Sequence, residues 1–160
     1  MKRKILATIK DIILSEPSAH KLALAISLGV FCALSPFIGL HTAMAIGLSF
    51  IFRVNMPLTV AILYLVSNPW TMVPLLIADY AFGHWFFYTI LGINLMDYNP
   101  SWMGYINRYL ESYTQKYMGL HGLSLWELIL GGTILALITA IISYPIARRI
   151  LRKYENNHAK

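Results

Sequence analysis

Between Leu22 and Phe52 the chain runs for 31 residues without an Asp, Glu, Lys or Arg. As one straight helix the stretch would be about 46 Å long, against a hydrocarbon core of roughly 30 Å. Two complete crossings would need about 40 residues plus a turn, so it is also too short for an ordinary transmembrane hairpin. Ser35-Pro36 stands near its middle. Proline lacks an N–H and disfavours helix in the residue before it, so a first helix is expected to end by Ser35, which then caps a second opening at Pro36. The stretch reads as two half-length arms meeting at a bend. Ala25, Gly29 and Ala33 recur every fourth residue on the first arm, and Gly39, Ala43 and Gly47 on the second. Such stripes let helix backbones approach closely in lipid, so the arms are expected to zip together.

Composition extends the argument to the whole chain. Apolar residues make up 58% of it and charged residues 12%, about half the charged share of a soluble domain. So few charges cannot cover a soluble globule, and the apolar residues lie in long runs, so lipid is expected to be part of the solvent. The fold class expected is all-α: a polytopic helical membrane protein with broken or re-entrant hairpins. The net charge of +6 comes mainly from the ends. Lys2, Arg3, Lys4, Lys10 and Lys21 precede the first apolar run, and Arg148, Arg149, Arg152 and Lys153 follow the last. By the positive-inside rule both termini are expected in the cytoplasm and complete crossings to be even in number. Basic residues are not interleaved with aromatics on one face, which argues against nucleic acid as a partner. The single cysteine, Cys32, leaves no internal disulfide.

Five segments follow. Residues 1–17 place Ile5, Leu6, Ile9, Ile12 and Ile13 at helical spacing among basic residues, as in an interfacial amphipathic helix. A signal peptide is the competing reading, opposed by Glu16 and Pro17 ahead of the apolar run and by the lack of a cleavage site. Residues 18–96 form the membrane domain with two broken hairpins. In it Arg53-Val54-Asn55-Met56-Pro57 is a polar joint, Pro57 to Val66 is half a crossing, and Ser67-Asn68-Pro69 is a second break. Asn68 is a good cap and Pro69 a good first helical residue, so a helix is expected from there through Pro74 and Asp79 toward Leu91. Residues 97–122 are polar and aromatic, with Tyr105, Tyr109 and Tyr113 at helical spacing, an interfacial pattern. Ser124 to Glu127 reads as a capping box opening the last span, 123–147, and 148–160 is a basic cytoplasmic tail.

One run of these elements is similar to a known family. Gly29, Ser35-Pro36-Phe-Ile-Gly39-Leu-His-Thr42, Arg53-Val-Asn55-Met-Pro57 and Ser67-Asn68-Pro69-Trp-Thr71-Met-Val-Pro74 closely resemble the bacterial membrane family called domain of unknown function 2062. Its elements are a glycine-rich first helix, a Pro-x-x-Gly bend, an Arg-x-Asn joint and a Ser-Asn-Pro-x-Thr-x-x-Pro stretch. The resemblance covers roughly Ser18 to Trp85, and Tyr98 onward gains nothing from it. Ala25 and Ser27 stand where members often carry glycine. Some members are joined to glycosyltransferase domains, so the resemblance implies a setting among lipid-linked saccharides or other envelope lipids of the bacterial inner membrane.

The residues suggest transport rather than catalysis. No nucleotide-binding loop, HExxH, GxSxG or paired-cysteine motif is present, and the histidines at 20, 41, 84, 121 and 158 lack ligand spacing, so neither metal nor other cofactor is expected. Half-helix N-termini at Pro36 and Pro69 would present free N–H groups to an anion such as a phosphate headgroup. Ser35, Pro36, Gly39, His41, Thr42, Arg53, Asn55, Ser67, Asn68, Pro69 and Thr71 are the candidate anion or substrate contacts. Their bland reading is that they satisfy backbone groups freed at the breaks, and that Arg53 snorkels to the headgroups. Asp79, taken as the one carboxylate of the hydrophobic body, and His84 are the proton-coupling candidates; the competing reading puts Asp79 at the interface. The favoured function is movement of an anionic envelope lipid or small anion, by a chain that is not an enzyme. Its expected partners are membrane lipids, including a lipid-linked sugar, and a second copy. The alternative is a non-catalytic anchor or accessory partner of an envelope glycosyltransferase or lipid-processing enzyme.

Overall fold

The computed structural model describes residues 18–37, 39–93, 102–118 and 124–158, and among these proline and glycine punctuate six α-helices. The structure is all-α among the described residues. The expected N-terminal amphipathic helix, Tyr98 and His121 lie outside them. α1, Ala19–Leu34, stops where Ser35-Pro36 should stop it. α2, His41–Phe52, begins five residues later than the Pro36 expected. The reason is Gly39, whose φ of +88° no right-handed helix can include. A helix opened at Pro36 would be broken within its first turn, so Pro36 lies in a bend and opens no half helix.

The joint after α2 is built from two complementary caps. Arg53 adopts the left-handed conformation, with φ 51° and ψ 47°. Its N–H donates to the Phe50 carbonyl at 3.3 Å and that of Val54 to the Ser49 carbonyl at 3.0 Å, the Schellman pattern that ends a helix. Asn55 Oδ1 then accepts from the Leu58 N–H at 2.9 Å and caps α3, Met56–Val66, with Pro57 in its first turn. Ser67 and Asn68 break the helix after α3. α4, Pro69–His84, opens on the expected proline and passes into a π-helical segment, Trp85–Ile90, ending one residue short of Leu91. α5, Met103–Met118, lies in the aromatic stretch, and α6, Leu125–His158, carries the basic residues on helix rather than on a separate tail. α6 is long and apolar enough to cross a membrane, and the bent pair of α3 with α4 would be a second such span if counted as one.

Two compact units divide these elements. The first holds α1 up to Ala33, α2, α3 and α6 from Ala136 onward. Its core has two clusters, Leu22, Ala25, Val54 and Leu58 in one and Cys32, Ala33, Ala45 and Leu63 in the other. Ala25, Gly29 and Ala33 are buried as a packing stripe should be, but Ala25 and Gly29 pack against α3, and Ala33 shares a cluster with Ala45 of α2 and Leu63 of α3. A Cβ on Gly29 would stand 2.7 Å from the Thr59 carbonyl oxygen and 2.8 Å from Ile62 Cβ. The second stripe does not zip against the first: Gly39 and Gly47 have open space where a Cβ would be, and Ala43 is exposed. Ser27 is buried and donates to the Ala140 carbonyl at 2.7 Å, tying α1 to α6. Thr42 Oγ1 and the Tyr64 hydroxyl, 2.8 Å apart, tie the start of α2 to the end of α3.

The second unit holds Leu34–Phe37, α4, the π-helical segment, α5 and α6 up to Leu135. Here α4 and α6 meet at glycines. A Cβ on Gly83 would overlap the Glu127 carbonyl, and one on Gly131 would overlap Gly83. Asp79 faces Gly131 and Gly132 while Gly83, one turn on, faces Glu127, so the two helices run antiparallel. α6 is capped from α5, the Leu125 N–H donating to Asn107 Oδ1 at 3.1 Å. The capping box expected at Ser124 is not formed. Ser124 Oγ is buried without a hydrogen-bond partner among the described residues, and the Glu127 carboxylate is turned to His84 instead of back to the Ser124 N–H.

Candidate functional site

Two groups of polar side chains stand out against this apolar frame, one in each unit. In the second unit the close approach of α4 and α6 encloses carboxylates. Asp79 is 2% exposed, and its Oδ1 has no hydrogen-bond partner among the described residues. Gly132 makes room for it: a Cβ there would lie 2.9 Å from Asp79 Cγ. Asp79 is therefore enclosed by helix rather than left at an exposed helix end. Glu127 is a second buried carboxylate, which corrects the expectation of one. His84 Nδ1 lies 3.3 Å from its Oε1 and 3.4 Å from its Oε2, the Glu127 side chain being 3% exposed and that of His84 51%. The imidazole is stacked against Tyr80 and Tyr88, at centroid distances of 6.0 and 5.3 Å, which fixes its plane. Asp79, His84 and Glu127 do not form a metal-binding group, none being present among the described residues.

In the first unit the polar groups are basic. Leu22, Val54 and Leu151 share one neighbourhood of the core. Lys21, Arg53, Arg149 and Arg152 adjoin these residues in sequence, so α1's start, the α2–α3 joint and α6's basic turns lie at one end of the unit. The two ends of the uncharged stretch, Lys21 and Arg53, are thereby brought together. His20 Nδ1 and the Tyr144 hydroxyl are 2.6 Å apart in a hydrogen bond, and the Arg148 guanidinium stands 6.0 Å from the Tyr144 ring centroid. Arg148 Nε is buried and has no acceptor among the described residues. No Asp or Glu occurs among the side chains described in this unit. Above the basic end opens a groove of about 430 Å³ between α1, α2 and α6, walled mainly by apolar side chains, with Ser27 and Tyr144 as its hydroxyl-bearing lining.

The candidate contacts read from the sequence are spread over both units. Gly39, His41, Thr42, Arg53, Asn55, Ser67 and Asn68 fall in the first; Ser35, Pro36, Pro69, Thr71, Asp79 and His84 fall in the second. Within the first unit, Arg53 stands at the opposite end of α2 from Thr42. α2 has 12 residues, about 18 Å at 1.5 Å per residue, so Arg53 is not brought together with His41 and Thr42. α3 likewise separates it from Ser67 and Asn68, whose Nδ2 donates to the Leu65 carbonyl at 3.5 Å. Asn55 is occupied as a cap. His20, Ser27, Tyr144, Arg148 and Glu127 were not among the candidates. The signal for Glu127 was a carboxylate three residues before the apolar Leu130-Gly131-Gly132; for His20 and Arg148 it was their place within two positions of the end of an apolar run.

A model of the family described as an uncharacterized protein conserved in bacteria (DUF2062) matches residues 2–160. The chain belongs to the DUF2062 family. The match takes in almost the whole chain, so the aromatic helix α5 and the long helix α6 belong to the DUF2062 unit, although the motifs legible in the sequence stop near Trp85. No curated protein and no solved structure matches. The fold gives the motifs of this DUF2062 chain local reasons. Pro-x-x-Gly opens on a bend at Pro36 and ends on a glycine of positive φ, and Arg-x-Asn is a helix stop followed by a helix cap. Ser-Asn-Pro places a proline at the first position of α4, with Pro74 inside that helix.

Proposed function

We propose that this DUF2062 protein is an integral protein of the bacterial cytoplasmic membrane and that it moves or handles an anionic envelope lipid or small anion, without catalysing a reaction. The observation that carries the reading is the gathering of His20, Lys21, Arg53, Arg148, Arg149 and Arg152 at one end of a helical unit with no carboxylate among its described side chains. Such an end suits an anionic leaflet surface and attracts phosphate. The apolar surface supports the membrane setting. Phe50, Ile51, Leu65 and Ile141 are largely exposed and Trp70 is 90% exposed, a burden that water would not tolerate on a small soluble domain. The absence of nucleophile, phosphate-loop and zinc motifs in the sequence favours handling over chemistry. On this reading Asp79 and His84, with Glu127, couple movement to protons, as intramembrane carboxylates and histidines do elsewhere.

Reconstitution tests it. The full chain in liposomes should accelerate transbilayer movement of labelled phosphatidylglycerol, or efflux of phosphate, over protein-free vesicles. Arg53→Gln should reduce the rate, and Arg53→Lys should keep part of it if charge alone suffices. Rates equal to those of empty vesicles for both probes would reject the transport reading.

A further inference from the structure

We infer that the groove between α1, α2 and α6 binds one acyl chain of an anionic phospholipid, with the headgroup phosphate held at its basic end by His20, Tyr144 and Arg148. This rests on the lipid-handling reading and gives it a site.

The geometry has two parts. The groove is walled by Leu24, Leu28 and Phe31 of α1, Leu48 and Phe52 of α2 and Ile141 of α6, and is open along one side. Its volume of about 430 Å³ falls within the roughly 300–1,000 Å³ of small-molecule sites. An apolar trough of that size suits a flexible hydrocarbon chain entering from lipid, and its scarcity of polar lining disfavours a sugar or a free anion. The second part is what stands at the end. His20 is one helical turn before Leu24, and Arg148 is one turn beyond Tyr144, so both lie just past the groove on the faces that line it. The hydrogen bond between His20 and Tyr144 places them at the same end. Arg148 Nε is a buried donor lacking an acceptor among the described residues, a need that a phosphate oxygen meets. Arg149 and Arg152 add positive charge nearby, and no described carboxylate in the unit opposes it. An apolar trough in line with cations that no described carboxylate opposes matches the two ends of an anionic lipid.

Ser27 bears on why the groove persists. Its hydroxyl is spent on the Ala140 carbonyl at 2.7 Å, so the floor presents little polarity to an occupant while α1 and α6 stay at fixed separation. Pro145 has no N–H to give the Ile141 carbonyl, which loosens α6 at the point where groove gives way to basic turn.

Native mass spectrometry of the full chain in detergent, titrated with phosphatidylglycerol and with phosphatidylcholine, tests the inference. The wild type should retain phosphatidylglycerol roughly tenfold more tightly, because the choline ammonium of phosphatidylcholine is repelled by the arginines at 148, 149 and 152 while the phosphates of the two lipids are alike. Arg148→Gln should weaken both lipids, whose phosphates are alike, and phosphatidylglycerol the more, so that most of that preference is lost. Ile141→Trp, at a position 69% exposed, should fill the trough and weaken both lipids about equally. Competition on the wild type needs no variant: lysophosphatidylglycerol, with one chain, should displace bound phosphatidylglycerol, whereas glycerol 3-phosphate should not. Displacement by glycerol 3-phosphate would show an anion site without a chain site and overturn the inference, as would unaltered binding in Ile141→Trp. Selective binding without flux in liposomes would reject transport and leave the groove standing; flux without selective binding would do the reverse.

Discussion

Arg53 and Asn55 carry opposite demands at one joint, and substitutions separate them. Asn55→Ala removes the acceptor for the Leu58 N–H and should cost about 1 kcal/mol, while Asn55→Asp, which caps comparably, should be near neutral. Thermal unfolding in detergent reads both. Arg53 is in a left-handed conformation that glycine adopts without strain, so Arg53→Gly should change stability by less than about 1 kcal/mol. If it nevertheless lowers anion or lipid movement, the arginine serves the basic end and not the turn. In the second unit, His84→Ala leaves the buried Glu127 without its imidazole and should destabilise by about 1–3 kcal/mol. Glu127→Gln on that background should recover part of the loss, since an uncharged amide is cheaper to bury than an unpaired carboxylate. A double-mutant cycle of unfolding midpoints checks the coupling. No recovery would mean that the histidine acts by stacking on Tyr80 and Tyr88.

At the scale of elements, the local signals could be read from the chain and the long-range ones could not. Pro36 ended α1, Pro69 opened α4 and the Arg-Val-Asn joint broke the chain because proline, glycine and caps act within a turn of themselves. The start of α2 was misread because Gly39 overrides Pro36 as soon as its positive φ is known, and sequence alone does not disclose φ. Glu127 was assigned to a local capping box because its partner, His84, is 43 positions away. The glycine stripes show the same division: Gly29 packs where periodicity put it, but against α3, and the tightest crossing, Gly83 on Gly131, belongs to no stripe. Alanine substitution should rank these contacts. Gly83→Ala and Gly131→Ala force backbone against backbone, which no side-chain rotation relieves, and each should cost about 1–3 kcal/mol or more. Gly47→Ala meets open space inside a helix and should stabilise by about 0.5–1 kcal/mol. Expression level and unfolding midpoint would rank them; equal effects at Gly83 and Gly47 would contradict the crossing.

For the whole molecule the decisive quantity is which end of the first unit faces the cytoplasm. Positive charge was legible at the two termini, but Arg53 alone carried no direction. Packing of Val54 with Leu22 and Leu151 puts it at the end where Lys21, Arg149 and Arg152 stand, so three separated parts of the chain now argue for one side. The prediction is that cysteines placed at Lys21, Arg53 and Arg152, after replacement of Cys32, are all labelled from the cytoplasmic side by an impermeant reagent. Reporter fusions at both termini should agree. Labelling of Arg53 from the opposite side would mean that α1 and α2 together traverse the bilayer, against the expectation drawn from the shared cluster of Leu22, Val54 and Leu58. It would therefore reject the membrane orientation proposed for this unit and, with it, the cytoplasmic headgroup site at His20, Tyr144 and Arg148. Agreement of all three positions with an external C-terminus would invert the unit instead, and the basic end would then face an outer leaflet, against the positive-inside rule. Either result changes which leaflet supplies the lipid, so the labelling experiment should precede any flux measurement.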